Sequence, residues 1–383
     1  MKTEIEIVKT KKELKRFIKF PFRLYKGSPY WAPPLIRDDL EMFNRKKNPS
    51  YENADSRLFI AARGGQPVGR IAAIISYAAN EKYKTRNLRF GWFDVIDDYE
   101  VAQSLFRAVE DWGRELGMET LTGPHGFTDL DPEGMLIEGF ETIPTIVGSY
   151  NNPYSPVFME KYGFSKDVDY FEFLTPVPRE TGIPEKLLRI AERVKQRTNV
   201  RILKFKNKKE AMPYGEAIFR VIDEAFEDIY GTVPLTDRQI RYNVDKYISF
   251  LNIDLMKLAV NEKNELVGFL FTVPSLSKAF QAAKGKLFPF GWYYILKALR
   301  STDVIDFYMA GVKRKYQGKG IDLLMIIEIV NTLIEKGFTY AESNLELETN
   351  TRVQALWKHF NPRRHRARRI YKKDIDYSFL QVI

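Results

Sequence analysis

Toward its C-terminal end the chain passes from one apolar stretch, TDVIDFYMAGV (302–312), through KRKYQGKG to another, IDLLMIIEIV (321–330). The first reads as a strand. The second keeps Leu323, Leu324, Ile327, Val330 and Ile334 along one side of a helix over 321–336. A strand joined to a helix through two glycines points to a sheet with helices packed on it, an α/β arrangement. Gly318 and Gly320 either form a tight turn or clear side chains away so that first-turn amides hold an anion. Gln317 and Lys319 add polar contacts there, and Arg314 and Lys315 raise the local potential. The loop is not that of the nucleoside-triphosphate binders, because Ile321 stands where Ser or Thr is needed. Nor is it the dinucleotide fingerprint, which needs a third glycine and a later acid.

The order around this point occurs twice. RLFIAAR (57–63), a GGQP turn and VGRIAAIIS (68–76) read as a hairpin, and LRFGWFDVI (88–96) as a third strand. Val101, Leu105, Ala108, Val109 and Trp112 give a helix over 101–116. METLTGP, the short helix of NNPYSPVFMEKYGF and the strand DVDYFEFLT follow. PVPRETGIP (176–184) breaks the pattern and marks a boundary. After it come a strand VRILKF, helices near 209–228 and 237–250, a second hairpin, the strand–glycine–helix unit, YAESNLELE, the helix NTRVQALWKHF and a basic strand. The expectation is a mixed α/β chain of two domains, 1–178 and 179–383. A chain of 383 residues is longer than one core usually serves.

Composition removes several chemistries. There is no Cys, hence no disulfide, no thiolate nucleophile and no cysteine-held metal. The three histidines, His125, His359 and His365, are not spaced as a metal motif, so no metal is expected. No G-x-S-x-G elbow occurs. The N-terminus lacks a signal-peptide core, and no run approaches the about 18 apolar residues of a membrane span, so the chain reads as soluble and cytoplasmic. A net charge of +10 suits an anionic partner without choosing among nucleotide, nucleic acid and lipid headgroup.

GVKRKYQGKGIDLLMIIEIV resembles the acetyl-CoA loop of the GNAT acyltransferases. Val312, Gln317 and Gly320 take that loop's Val, Gln/Arg and first glycine places. Asp322 stands where the family usually has Gly or Ala, and a carboxylate there repels a pyrophosphate unless it points away or caps the helix. NTRVQALWKHF resembles the family's second signature. Asn350, Leu356 and Trp357 fill the Asn, Leu and Tyr places, Val353 replaces Ala, and Asn361-Pro362 replaces Gly-Phe. The resemblance covers residues 200–375. The first half is similar more faintly, through Asn152, Ser155, Phe158, Met159, Gly163 and Phe164. It has no glycine loop before its helix at 101, and so resembles a degenerate GNAT domain without a cofactor site.

The resemblance implies transfer of an acyl group from acetyl-CoA, or another acyl-CoA, to an amine. It implies a gap between the fourth and fifth strands, with the backbone of Met309, Ala310, Gly311 and Val312 on the pantetheine and thioester. Gln317, Gly318, Lys319, Gly320 and Ile321 would hold the pyrophosphate, with Asn350 and Trp357 completing the cofactor set. The family tyrosine often reprotonates the departing thiolate, a role indole is too weak an acid to take. Asp306, Glu346 and Glu348 are the carboxylates available as the base. The acceptor amine, small molecule or peptide, is not named by the sequence. Two rival readings remain: a CoA or small-ligand sensor without turnover, and a transferase using aminoacyl-tRNA or a long-chain acyl donor.

Three further segments stand out. KAFQAAKGKLFPFGWYYILKALR (278–300) mixes basic and aromatic residues. It is either a surface that touches lipid or an acyl chain, or a helical insertion packed on the other domain; the second is expected, since amphipathic stretches usually face a core. NPRRHRARRIYKK (361–373) has no aromatic stacking platform for nucleic acid and reads as a solvated edge strand, with His359 and His365 at the surface. GPHGFTDLDPEGMLIEGFE (123–141) is a long loop that could line a substrate pocket.

Overall fold

The structure is a computed structural model that describes residues 2–247 and 252–378. Its first elements are β1 (Glu4–Ile7), α1 (Lys11–Leu24), α2 (Ile36–Met42), β2 (Ala54–Arg63), β3 (Gln66–Ser76), α3 (Tyr77–Tyr83), β4 (Asn87–Val95), α4 (Tyr99–Glu115), β5 (Thr120–Gly123), β6 (Met135–Glu138), α5 (Tyr154–Lys161) and β7 (Ser165–Pro176). There follow α6 (Glu185–Thr198), β8 (Arg201–Ile202), α7 (Lys208–Ala211), α8 (Gly215–Ala225), α9 (Asp237–Tyr247), β9 (Met256–Val260), β10 (Leu266–Pro274), α10 (Ser277–Ala283) and α11 (Gly291–Ser301). The last are β11 (Val304–Val312), α12 (Ile321–Glu335), β12 (Tyr340–Ser343), β13 (Glu346–Leu347), α13 (Thr351–Trp357) and β14 (Arg363–Asp374). The final positions of the helix expected over 237–250, residues 248–250, lie outside the described residues.

A single boundary near 178 does not describe the packing. Two compact units interleave along the chain: Met1–Phe171 with Ser277–Ile295 and Arg366–Ile383, and Glu172–Leu276 with Leu296–His365.

The first unit is built on the strand order β1-β2-β3-β4-β5-β14. The GGQP turn closes β2 onto β3 because Gly64 and Gly65 both take positive φ. On one face α4 buries Val101, Leu105, Phe106 and Val109 against Phe59, Ile71 and Phe90. On the other, α1 buries Phe17 and Ile18 against Ile60, Ala72 and Ile74. The head of α1 is a capping box, Thr10 with Glu13. A buried ion pair pins α1 to the sheet: Arg70 Nε donates to Asp94 at 2.8 Å and Nη1 to the Phe17 carbonyl at 3.1 Å, while the Tyr25 hydroxyl donates to Asp94 at 2.6 Å.

β14 is not a solvated edge. It runs antiparallel to β5, with Tyr371 opposite Gly123, and pairs β6 as well. Arg366 and Arg368 are 1% and 0% exposed. Arg366 donates to the Ile143 carbonyl and Thr142 hydroxyl, and Arg368 to the Ser149 carbonyl. Guanidinium groups tolerate such burial only when hydrogen-bonded, and here backbone oxygens of one loop supply the acceptors.

In the second unit the order is β7-β12-β11-β10-β9-β8, with β7 contributing its last residues. α12 and α6 cover one face, where Leu324, Ile327, Val330 and Val194 meet Ala259, Val267 and Ile305. α8 covers the other, with Phe219 and Ile222 against Leu258 and Phe269.

Removing one partner of the buried pair leaves a desolvated charge. Asp94→Ala should lower the unfolding free energy by about 3–5 kcal/mol in urea titration. The double change Arg70→Met with Asp94→Asn should recover most of that loss.

Candidate functional site

β11 carries the site. Its first half pairs on both sides, antiparallel to β10 and parallel to β12, where the register ends at Phe307 opposite Ser343. Just beyond, Phe271 faces Met309 while Thr272 faces Phe307, so Tyr308 is an extra residue on β11. Such a bulge bends a strand and sharpens its twist. β11 therefore parts from β12, and the side chain of Asn344 ties the fork at its apex by donating to the Tyr308 carbonyl at 3.0 Å. Ala310, two residues past that apex on a central strand, is exposed.

Alternation along the ladder decides which amides face this opening. The Lys313 N–H donates to the Val267 carbonyl at 2.9 Å, which makes Phe269 and Gly311 the next hydrogen-bonded pair. Gly311 and Met309 thus turn their polar groups to β10, and Ala310 and Val312 turn theirs to the opening. Of the four expected residues, these two present N–H groups there.

The glycine loop runs from β11 to α12. Gln317 is tied to the strand by donating from Nε2 to the Val312 carbonyl at 3.0 Å. Gly318 and Gly320 lie at φ +70° and +85°, a region costly for other residues. Gly320 is the helix cap and brings no side chain to cover the first-turn amides. A Cβ there would stand 2.7 Å from Val194 Cγ2, whereas Gly318 has nothing within 4 Å. Gly320 lets the turn close onto α6, and Gly318 keeps its outer face clear. Asp322 accepts from the Leu323 N–H at 2.9 Å, so the unexpected carboxylate is folded onto the helix's own backbone. Lys319 is exposed, its ammonium 5.4 Å from the Tyr316 ring centre. Arg314 does not enrich the loop in positive charge, because it pairs with Glu227 at 3.3 Å and with Asp228.

Glu346 is buried, and its carboxylate accepts the Trp357 indole N–H at 2.6 Å. The Trp357 ring stands edge-on to Phe307 at 4.8 Å, the last residue of β11 before the fork. Two residues that the sequence nominates separately, a base and a cofactor contact, are in fact one hydrogen-bonded pair. Burial pushes the Glu346 carboxyl up to about 7, against the opposing pull of the Trp357 and Ser343 hydrogen bonds. Glu348 is half-buried beyond the end of β13. Asp306 is buried on the closed side of the fork, register partner of Glu342. His365 is not at the surface: its Nε2 lies 3.4 Å from Glu342, and burial lowers its basicity. No spacing in the sequence foretold that contact. Asn350 caps α13 through its backbone position, without a side-chain cap bond.

The first unit repeats the fork and closes it. β4 runs parallel to β5 as far as Arg89 opposite Thr122, and its register with β3 slips around Trp92, at φ +46°. There the His125 N–H donates to the Phe90 carbonyl at 2.8 Å. A Cβ on Gly91 would stand 2.7 Å from the His125 oxygen, and one on Gly123 2.2 Å from the Phe90 oxygen. Residues 123–134 thus fill the opening with the chain itself. The head of α4 is covered by Asp98, which accepts from the Glu100 N–H at 3.0 Å and pairs with Arg63 at 2.6 Å. An incoming phosphate would meet a carboxylate there. Within the filling loop, burial raises Asp129 to about 6 and Glu133 to about 8.

No family model matches the chain. Protein YghO of Escherichia coli (strain K12) is 29% identical over 371 residues, covering 95% of this chain and 94% of its own length. The bacterial ceramide synthase of Caulobacter vibrioides is 29% identical over 376 residues, covering 96% of each. Among solved structures, a tandem GNAT protein from the clavulanic acid biosynthesis pathway matches with a TM-score of 0.56 at 11% identity, over 98% of this chain and 100% of its own. A GCN5-related N-acetyltransferase from Sphaerobacter thermophilus matches with a TM-score of 0.52 at 12% identity, over 97% and 96%. The fold is a tandem GNAT-like one, as the sequence motifs imply.

Two predictions follow from the loop and the buried acid. Gly320→Val should destabilise the fold through both φ and Val194, and so is a poor probe of binding. Gly318→Asp, at a left-handed position that Asp tolerates, should keep thermal stability within a few degrees in a melting measurement, unlike Gly320→Val. Glu346 binds its proton more tightly folded than unfolded, since about 7 lies above 4.5. Stability should therefore fall as pH rises from about 4.5 through about 7, and Glu346→Gln should flatten that slope in urea unfolding.

Proposed function

We propose that this chain is an N-acyltransferase whose second unit takes an acyl-CoA in the β11–β12 fork and passes the acyl group to an amine. One observation carries the reading. A carboxyl poised near neutrality, Glu346, is held by Trp357 against the residue where β11 leaves β12. Farther along β11 lie two outward strand amides, and the helix that follows has a glycine at its cap.

The proposed binding set divides by chemistry. The first-turn amides of α12 ahead of Leu323, whose N–H is taken by Asp322, and the Gly318–Gly320 backbone receive the pyrophosphate, with Lys319 nearby for charge. The N–H groups of Ala310 and Val312 receive pantetheine and the thioester oxygen, where they stabilise developing negative charge. When bound, acyl-CoA supplies an activated acyl carbon, to which the amine nitrogen bonds as the C–S bond breaks and the sulfur keeps the electron pair. Glu346 takes the proton the attacking nitrogen loses, directly or through water. The same carboxyl then returns a proton to the departing sulfur. One group near pH 7 can serve both steps, so no tyrosine is needed where Trp357 stands. Trp357 acts through Glu346, as a positioning residue.

The substrate class is drawn from the relatives. Likeness to a bacterial ceramide synthase over 96% of both chains supports a long-chain acyl donor and the amine of a long-chain amino alcohol, since a ceramide is the amide of those two. The degenerate N-terminal domain, closed at both its fork and its helix head, is assigned a structural part, and the acyl-CoA goes to residues of the 179–383 half.

The test is free-thiol release from purified protein, with palmitoyl-CoA and acetyl-CoA as donors and sphinganine and small amines as acceptors. Release should need both partners and favour palmitoyl-CoA with sphinganine. Glu346→Gln should lower kcat about 10²–10⁴-fold with a smaller change in KM. Activity should rise with pH through about 7, and Trp357→Phe, which removes a hydrogen bond that favours the carboxylate, should move that rise to higher pH. Tight CoA binding without thiol release from any pair would leave a ligand-binding protein instead.

A further inference from the structure

Between Pro274 and Asp303 the chain carries Lys278, Lys284, Lys286, Lys297 and Arg300 and no acidic residue. The same stretch exposes large apolar side chains one after another. Phe288 and Phe290 are 77% and 67% exposed, and Trp292, Tyr293, Tyr294, Leu296 and Leu299 follow along α11. The insertion is rooted in the first unit, as the packed reading expects, but its aromatic part, 288–299, is turned outward. Single exposed apolar residues are ordinary, but a contiguous group of this size marks a surface that something covers.

The display is rigidly rooted. Ser277 Oγ donates to the Pro144 carbonyl at 2.6 Å, and Gln281 Nε2 to the Pro29 carbonyl at 2.9 Å. The Gly285 carbonyl accepts from the Ile36 N–H at 3.0 Å, and a Cβ at Gly285 would come within 2.4 Å of the Phe22 ring. The tip is ordered as well: Trp292 donates through Nε1 to the Pro289 carbonyl at 2.8 Å and through its backbone to Leu287 at 2.9 Å. A segment fixed at its base and closed at its tip holds its rings in solvent by construction.

We propose that residues 284–300 form a docking surface for an anionic phospholipid bilayer. Phe288, Phe290 and Trp292 enter the headgroup–acyl boundary, and Lys284, Lys286, Lys297 and Arg300 reach lipid phosphates. Charge complementarity selects this occupant: every group of the stretch that is charged at neutral pH is a cation, which a bilayer of anionic headgroups matches. A second copy would bring the same cations face to face. α11 has 11 residues, too few to span a bilayer but suited to lie in its surface. No described helix is long and apolar enough to cross one. The inference stands apart from the proposed acyl transfer, since vesicle binding requires no donor, acceptor or turnover.

The experiment is co-sedimentation of the full chain with vesicles of phosphatidylcholine alone and of phosphatidylcholine mixed with phosphatidylglycerol, without any acyl-CoA. Binding should favour the anionic vesicles at least about tenfold and weaken with salt. The triple change Phe288→Ser, Phe290→Ser, Trp292→Ser should lower binding to anionic vesicles at least about tenfold, with the melting temperature kept because these side chains are exposed. Changing Lys284, Lys286 and Lys297 to Gln should remove the preference for anionic lipid. Absence of binding to anionic vesicles, or equal binding by the triple variant, overturns the proposal. So does a wild-type dimer by light scattering that the triple variant turns into a monomer, because the patch would then be a self-interface.

Discussion

The single residue that β11 has in excess of β10 sets the geometry on which the rest of the site depends. With Tyr308 inserted, β11 cannot follow both neighbours, and it keeps β10 while leaving β12. From that parting come an opening in the middle of a sheet, two strand amides without a ladder partner on that side, and an apex at Phe307 on which Trp357 rests. Trp357 in turn carries the buried Glu346. A sheet normally satisfies every central amide, so an opening at its centre makes donors available in a place otherwise dry and rigid.

The two units show how small differences separate a fold from a site. Both have a parallel strand pair that forks at a bulge, and both have a helix starting just beyond it. In the first unit the fork is stitched shut by His125 on Phe90, and Asp98 covers the helix head. In the second, the helix cap is Gly320 and the fork stays open. At the head of α4 the carboxylate stands at the cap itself, whereas at α12 it is Asp322, inside the first turn and bonded to the Leu323 N–H.

Buried charge is where pattern reasoning fell short. The basic run 361–373 reads as a solvated edge strand, whereas Arg366 and Arg368 are covered by a loop whose carbonyls they bond. Glu346 is one of three carboxylates the sequence offers as a base, and no local pattern shows that an aromatic from the next helix closes over it. The aromatic stretch 288–299 failed in the opposite direction, looking like core and lying in solvent. Burial is a property of what packs on a residue, and no local period records the arrival of a distant segment.

The sequence by itself determined the α/β class, the duplicated element order, the glycine loop between β11 and α12 and the lack of such a loop in the first half. These rest on local physics: strand and helix periods, positive φ at glycine, and the chemistry of helix caps. Only the tertiary structure decided that the two units interleave, that Trp357 and Glu346 act on one another, and that Arg314 is neutralised by Glu227 and Asp228. Each of those facts joins residues far apart in the chain, and the energies that join them, desolvation and ion pairing, take their size from the folded surroundings.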